Sequence, residues 1–235
     1  MPVFRIPDNK IVFPHPTLAN SDGLLGIGGD HSPERFILAY QNGIFPWSSA
    51  GEPISWYCLL PRLILYPSKV NISKSMKVVI SRNKFHFTID QHFKEIMSHC
   101  KEIDRKGQKG SWIYNELEES FLELHQLGLA HSIEIWKENV LVGGLYGLAI
   151  GKMFCGESMF SKVTNASKFA LIVLCQILTD NSFELIDCQQ DTNHMKSMGA
   201  EIMGTSDFLN FLEKNKLYPQ ANDFWKNYSN QNPIL

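Results

Sequence analysis

Two short segments hold the residues best placed to do chemistry. In Ile186-Asp187-Cys188-Gln189-Gln190-Asp191-Thr192-Asn193-His194, Asp187 closes an apolar run containing Phe183, Leu185 and Ile186. A carboxylate there is costly unless partnered. It is therefore either a hydrogen-bonded turn former or a catalytic group. His194 by itself reads as a packed or capping histidine. The other segment is Phe154-Cys155-Gly156-Glu157-Ser158-Met159-Phe160-Ser161. It is read as lying between a strand and a helix, so that Glu157 and Ser158 project from a strand end, where ligands often bind. Trp47 and Trp112 lie in glycine-punctuated stretches, Gly43-Ile44-Phe45-Pro46-Trp47 and Gly110-Ser111-Trp112-Ile113. Each either plugs a gap or stacks on a nucleobase, an interaction worth roughly 1–3 kcal/mol per base.

Positioning these groups requires a mixed α and β frame. Ser32 and Pro33 open a helix whose residues Phe36, Ile37 and Tyr40 recur at helical spacing until Gly43. Little other regular structure is expected before residue 62, so residues 1–62 read as a small, irregular N-terminal domain lying against a larger one, 63–235. In the larger part a strand over 85–89 precedes a helix capped by Asp90, and a second helix covers 114–127. A hairpin follows, His131–Trp136 and Val140–Tyr146 around Lys137-Glu138-Asn139. Then come a strand over 148–155, a helix near 166–178 with Asn165 as cap, a strand over 183–188 and a helix over 206–214. A β-meander, a long helix and a further strand is the central order of the acetyltransferase-like (GNAT) fold. The expected class is α+β, with a mixed, mostly antiparallel sheet. The tail from Tyr228 reads as fraying polar sequence.

Composition narrows the partners. With 44% apolar and 20% charged residues the chain reads as an ordinary globular protein. No run approaches the roughly 20 apolar residues of a membrane helix, and the first residues lack the apolar stretch of a signal peptide. Five dispersed cysteines, none in a C-x-x-C pair, indicate neither a disulfide framework nor a zinc site. We expect a cytoplasmic monomer without metal or cofactor. The net charge is −2, yet residues 62–109 carry eleven basic side chains against four acidic ones. Lys69, Lys74, Lys77, Arg82 and Lys84 belong to that stretch. It is either a solvated basic face or a field that draws phosphate.

Taken in order, these blocks resemble one family. Asn20-Ser21-Asp22-Gly23-Leu24-Leu25-Gly26-Ile27-Gly28-Gly29-Asp30, then Ala39-Tyr40 and Gly43–Trp47, match its N-terminal signature. Gly143–Gly147, Gly156–Ser161, Ala166-Ser167-Lys168 and Ile186–Gln189 follow it in order. The chain resembles the leucyl/phenylalanyl-tRNA–protein transferases over roughly residues 12–225. In Trp56-Tyr57-Cys58-Leu59-Leu60-Pro61-Arg62 only the ends of the family's usual motif remain.

The resemblance implies a small N-terminal domain plus a GNAT-like one, and it implies roles. Asp187 and Gln189 match a catalytic pair in which the glutamine contacts the attacking amine, and Glu157 matches an active-site acid. Trp47 and Trp112 match residues holding the 3′-terminal adenosine of tRNA. Leu145, Phe154, Met159, Leu174, Leu178 and Ile186, with Ser158 beside them, fall where the family builds its side-chain pocket. The implied donors are Leu-, Phe- and Met-tRNA. The implied acceptors are proteins with N-terminal Arg or Lys, which the reaction marks for N-end-rule degradation, and the basic stretch would meet the tRNA backbone. An ester becomes an amide, so ATP is not needed. An acceptor α-amine with pKa near 7.7–8.0 is partly neutral at pH 7, so orientation should dominate. Gln can accept an N–H through its carbonyl while Asp fixes its amide. Cys155 and Cys188 have no base beside them in sequence and read as packing. An acetyl-CoA enzyme would need a glycine-rich turn before the central helix, and Glu157–Lys168 contains no glycine. A non-catalytic RNA-binding protein would leave Asp187 and Gln189 unexplained.

Overall fold

The structure is a computed structural model that describes residues 3–103, 113–219 and 223–228. Trp112 and most of the polar tail lie outside the described residues. The N-terminal part is more regular than its glycine- and proline-rich sequence suggests. It contains β1 (Phe4–Ile6), β2 (Leu24–Gly28), α1 (Pro33–Gln41), β3 (Phe45–Pro46) and β4 (Ser55–Tyr57), with the strands in one sheet of order β1-β2-β4-β3. Strands this short show no periodicity that could be read from sequence. Trp56 organises this part. Its indole N–H donates to the Gly28 carbonyl at 2.8 Å, and Phe13 and Phe36 meet its ring edge-on at 4.9 and 5.5 Å. Ser32 stands at the N-cap of α1 but its side chain does not cap; the hydroxyl bonds to Asp30, which also holds the buried Arg35 at 2.8 Å.

The second sheet has seven strands in the order β11-β5-β10-β9-β8-β7-β6. In chain order the elements are β5 (Arg62–Leu65), α2 (Lys74–Ser81), β6 (His86–Ile89), α3 (Phe93–Glu102), α4 (Asn115–Gln126), β7 (Ala130–Lys137), β8 (Val140–Ile150), β9 (Met153–Ser161), α5 (Ala166–Asp180), β10 (Leu185–Gln189), α6 (Asn193–Ser197), β11 (Glu201–Met203) and α7 (Thr205–Asn215). Within this sheet, among the described residues, only β9 and β10 pair in parallel; the other pairs are antiparallel. The meander β7-β8-β9, the helix α5 and the parallel return β10 give the GNAT-like order expected from the sequence. The apolar α5 covers one face of the meander, and α3 and α4 cover the other. The small sheet shares the second core: Phe36 lies edge-on to Phe121 at 5.9 Å, and the Ser120 hydroxyl donates to the His31 carbonyl at 3.0 Å. Among the described residues no helix is long and apolar enough to cross a membrane.

Several local expectations need correction. The separate strands expected over 140–146 and 148–155 are one strand, β8, followed by β9. Gly147 does not break it; a Cβ there would collide with the Cys155 carbonyl oxygen, so glycine permits the close strand approach. Asp90 does not cap α3. It sits at φ 59°, accepts the Ser132 N–H at 2.8 Å and lies 2.7 Å from His131 Nδ1. Asn165 occupies the N-cap position of α5 in the left-handed region, without a side-chain capping bond. The elements α2, α6, β5 and β11 are additions to the expected order, because each is too short for a persistent sequence pattern.

Candidate active site

Two bulges build the site. In the β8–β9 ladder Tyr146 pairs with Ser158 and Gly147 with Gly156, so Glu157 is the extra residue. In the β10–β5 ladder Asp187 pairs with Ile64 and Gln189 with Leu63, which makes Cys188 the extra one. A bulge breaks the alternation of faces and re-aims side chains. Parallel pairing between β9 and β10 ends at Cys155 and Asp187. Beyond that point residues of both strands line a cavity of about 350 Å³. Glu157 therefore projects from a mid-strand bulge, not from the strand end inferred from sequence.

The cavity wall joins several elements. Leu145, Phe154, Met159, Leu174 and Ile186 form apolar wall; Ser158, Glu157 and Gln189 add polar groups, and Trp47 stands at the edge. Leu178 does not line it. One helical turn beyond Leu174, it is fully buried in the core, and Leu171 takes the wall position instead. Phe45, Thr192, His194 and Met195 also line the cavity. Burial and the nearby Lys168 ammonium lower the pKa of His194. Trp47 is 37% exposed, and its ring leans against Tyr57 at 5.4 Å.

The polar groups form one connected set. Gln189 sits at φ 57°, and its backbone N–H donates to Asp187 Oδ1 at 2.9 Å. Its side-chain Nε2 donates to Glu157 Oε1 at 2.7 Å. The division of labour therefore differs from the sequence expectation: Glu157 fixes the Gln189 amide, while Asp187 fixes the backbone. Asp187 does not line the cavity but lies beneath it, 2% exposed, with Oδ1 3.6 Å from Arg62 Nη1. Burial raises its pKa; Arg62 and the Gln189 N–H oppose the rise. Burial pushes Glu157 up to about 8, against the Gln189 hydrogen bond and the nearby Tyr40 hydroxyl that pull it down, while the neighbouring Asp187 raises it further. Burial beside these acids also pushes the Cys155 and Cys188 thiols well up, which keeps them protonated and poor nucleophiles.

Two members of this set carry no role in the sequence expectation. Arg62 falls within the basic stretch, yet it is fully buried. A lone cation in the run Leu59-Leu60-Pro61-Arg62-Leu63-Ile64-Leu65 is the same signal that marks Asp187, and applied evenly it finds the partner. Tyr40 reads only as part of an apolar helix stripe, and its approach to Glu157 has no sequence signal. Lys69, Lys74, Lys77, Arg82 and Lys84 are exposed, and among the described residues none makes an ion pair; Lys69 Nζ lies 4.4 Å above the Tyr66 ring.

Comparison with known proteins shows the family. Residues 64–213 match the family model described as leucyl/phenylalanyl-tRNA protein transferase, and residues 29–59 match the model of that family's N-terminal domain. A leucyl/phenylalanyl-tRNA–protein transferase of Desulfatibacillum aliphaticivorans is 47% identical over 225 residues, covering 96% of each chain. One from Flavobacterium johnsoniae is 46% identical over 203 residues, 86% of this chain and 96% of the relative. Among solved structures, a soil-metagenome aminoglycoside acetyltransferase is 13% identical with a TM-score of 0.37, covering 60% of this chain and 92% of that one. The protein is an enzyme of the acyl-transferring class, an aminoacyltransferase. It belongs to the leucyl/phenylalanyl-tRNA protein transferase family.

Proposed function

We propose that this enzyme transfers leucine, phenylalanine or methionine from aminoacyl-tRNA to the α-amine of proteins beginning with Arg or Lys, in the cytoplasm, and so marks them for degradation. The observation that carries the reading is the apolar cavity whose wall ends on the Gln189–Glu157 pair. The donor's side chain enters between Leu145, Phe154, Met159, Leu174 and Ile186. β-Branched side chains are rejected by clash and polar ones by desolvation. With Nε2 engaged by Glu157, the Gln189 carbonyl oxygen is left to accept an N–H from the acceptor amine. Oriented in this way, the neutral amine attacks the ester carbonyl, the C–O bond to the tRNA 3′-terminal ribose breaks, the proton the amine gives up ends on that departing oxygen, and no covalent enzyme intermediate forms. The Glu157 carboxylate supplies negative charge for a cationic acceptor. Trp47 offers a face for the terminal adenine. Labelled Leu-tRNA incubated with a peptide beginning with Arg, beside one beginning with Ala, tests the reading; equal labelling of both would overturn the acceptor assignment.

Leu174 should tune the donor preference. Its side chain is 1% exposed and forms cavity wall. Leu174→Phe adds ring volume there and is expected to lower kcat/KM for Phe-tRNA relative to Leu-tRNA by about tenfold or more, the scale of a pocket misfit. An unchanged ratio would place the donor side chain elsewhere.

The basic face of α2 is assigned to the tRNA backbone. Lys74 and Lys77 point to solvent while Met76 of the same helix is buried. Reversing both to Glu is expected to weaken tRNA binding and to flatten its salt dependence, by roughly 0.9 in log–log slope for each duplex phosphate no longer neutralised. Titrations at several salt concentrations read this directly, and an unaltered slope would make the face ornamental.

A further inference from the structure

We propose that Arg62 is a positioning residue for transfer: it holds Asp187 beneath the cavity, and through that carboxylate's bond to the Gln189 N–H it fixes the bulge that presents Gln189 to the substrate. This rests on the reading of Asp187 and Gln189 given above. Arg62 is the only buried cation near the set among the described residues, and it reaches three elements at once. Nη2 donates to the Gly43 carbonyl after α1 and lies 3.8 Å from Cys58 Sγ, while Nη1 lies 3.6 Å from Asp187 Oδ1. The guanidinium carbon stands 4.8 Å from the Phe208 ring centre and 5.5 Å from that of Phe45, and Phe45 itself lines the cavity. Gly43, at φ 68°, leaves no room for a Cβ, which would stand 2.8 Å from the Phe208 ring and 3.1 Å from Arg62 Nη2. The small sheet, β5 and α7 thus meet on one guanidinium.

The arrangement has a mechanical consequence. Gln189 holds a left-handed backbone that a non-glycine residue adopts at some cost. What stabilises it is the Asp187 carboxylate, and that group is buried with Arg62 as its one opposite charge among the described residues. The groups facing Asp187 are Arg62 on β5, Cys58 before it, Glu157 and Cys155 on β9, and Cys188 beside it. Of these only Arg62 favours the carboxylate by its charge; Glu157, when ionised, opposes it.

The test compares R62K, R62M, D187N and R62M/D187N with the wild type, using aminoacyl-tRNA and an Arg-initiated peptide across pH 5.5–9, with thermal melts alongside. Expected for R62M is a loss of kcat of about 100-fold with donor KM changed less than about threefold. Its acid limb should also move to higher pH, because Asp187 without the guanidinium holds its proton longer. R62K, which keeps the charge, is expected to stay within about tenfold of the wild type with the limb in place. R62M/D187N should match D187N within about threefold, since both changes cut one connection. A folded R62M with wild-type kcat and an unmoved limb would overturn the proposal, as would full additivity in the double variant. If R62M does not fold, the double variant and the R62K profile decide in the same way. If D187N itself turns over normally, the assignment of Asp187 fails instead, a result distinct from failure of Arg62 alone.

Discussion

Asp187→Ala is expected to cut transfer at least about 100-fold and to lower the melting temperature by roughly 6–20 °C. The catalytic part follows from Gln189, whose N–H loses its acceptor and whose left-handed backbone loses its tether. The stability part follows from Arg62, a fully buried cation that would be left facing a cavity where its carboxylate stood. Removing one member of a buried ion pair costs about 3–5 kcal/mol. In a chain of this length each kcal/mol is worth roughly 2–4 °C. The protein should remain folded at 25 °C, within an ordinary stability of about 5–15 kcal/mol. Steady-state transfer of labelled leucine and a calorimetric melt measure the two effects separately. Asn at the same position keeps an acceptor for the Gln189 N–H and fills the space facing Arg62, and is expected to melt closer to the wild type while still transferring slowly. Near-wild-type turnover by the Asn variant would remove Asp187 from the mechanism.

The pH profile should carry the signature of Glu157. Its pKa is pushed up to about 8, chiefly by burial. The free acceptor α-amine titrates near 7.7–8.0. If attack needs a neutral amine and an ionised Glu157, log kcat/KM should climb with a slope approaching 2 below about pH 7 and level off above about 8.5. Glu157→Gln removes one of the two protons, so its slope should fall to 1, and its plateau should drop by about tenfold or more as the cationic acceptor loses its counter-charge. Stability should respond in the opposite sense. The folded pKa of about 8 lies above the ordinary 4.5. The native state therefore holds this proton more tightly than the unfolded chain, and the associated stability is complete below about 4.5 and lost as pH rises through about 8. Relative to Glu157→Gln, the wild type should lose melting temperature between those limits while it gains activity. Parallel profiles for the two proteins would sink the assignment.

Much of the frame was legible in residues 130–190. The hairpin over 131–146 closes through Glu138 and Asn139, both left-handed, and α5 announces its burial by being apolar on every side. The polar strand end at Asp187 stood out because an unpartnered acid beside Leu185 and Ile186 is too costly to be accidental. Less was legible near Gly147. A glycine between two apolar runs reads as a break, whereas in the folded chain it is the point of closest strand approach. Leu178 was placed in the pocket by the family resemblance, which does not say where along the α5 face this chain's cavity ends.

The sequence by itself determined the succession of meander, helix and returning strand and marked the acid that ends the apolar run at Asp187; the pocket residues and Gln189 were implied by the family resemblance. The succession and the marked acid are properties of local runs, whose burial and periodicity depend on residue type alone. Only the tertiary structure decided that Glu157 is the bulged residue, that it and not Asp187 grips the Gln189 amide, and that Arg62 is drawn inward to face Asp187. Register shifts and buried charge pairs join residues on different strands, which local runs do not bring together. Their energy exists only once the strands are aligned and water is excluded, so no stretch of chain records them alone.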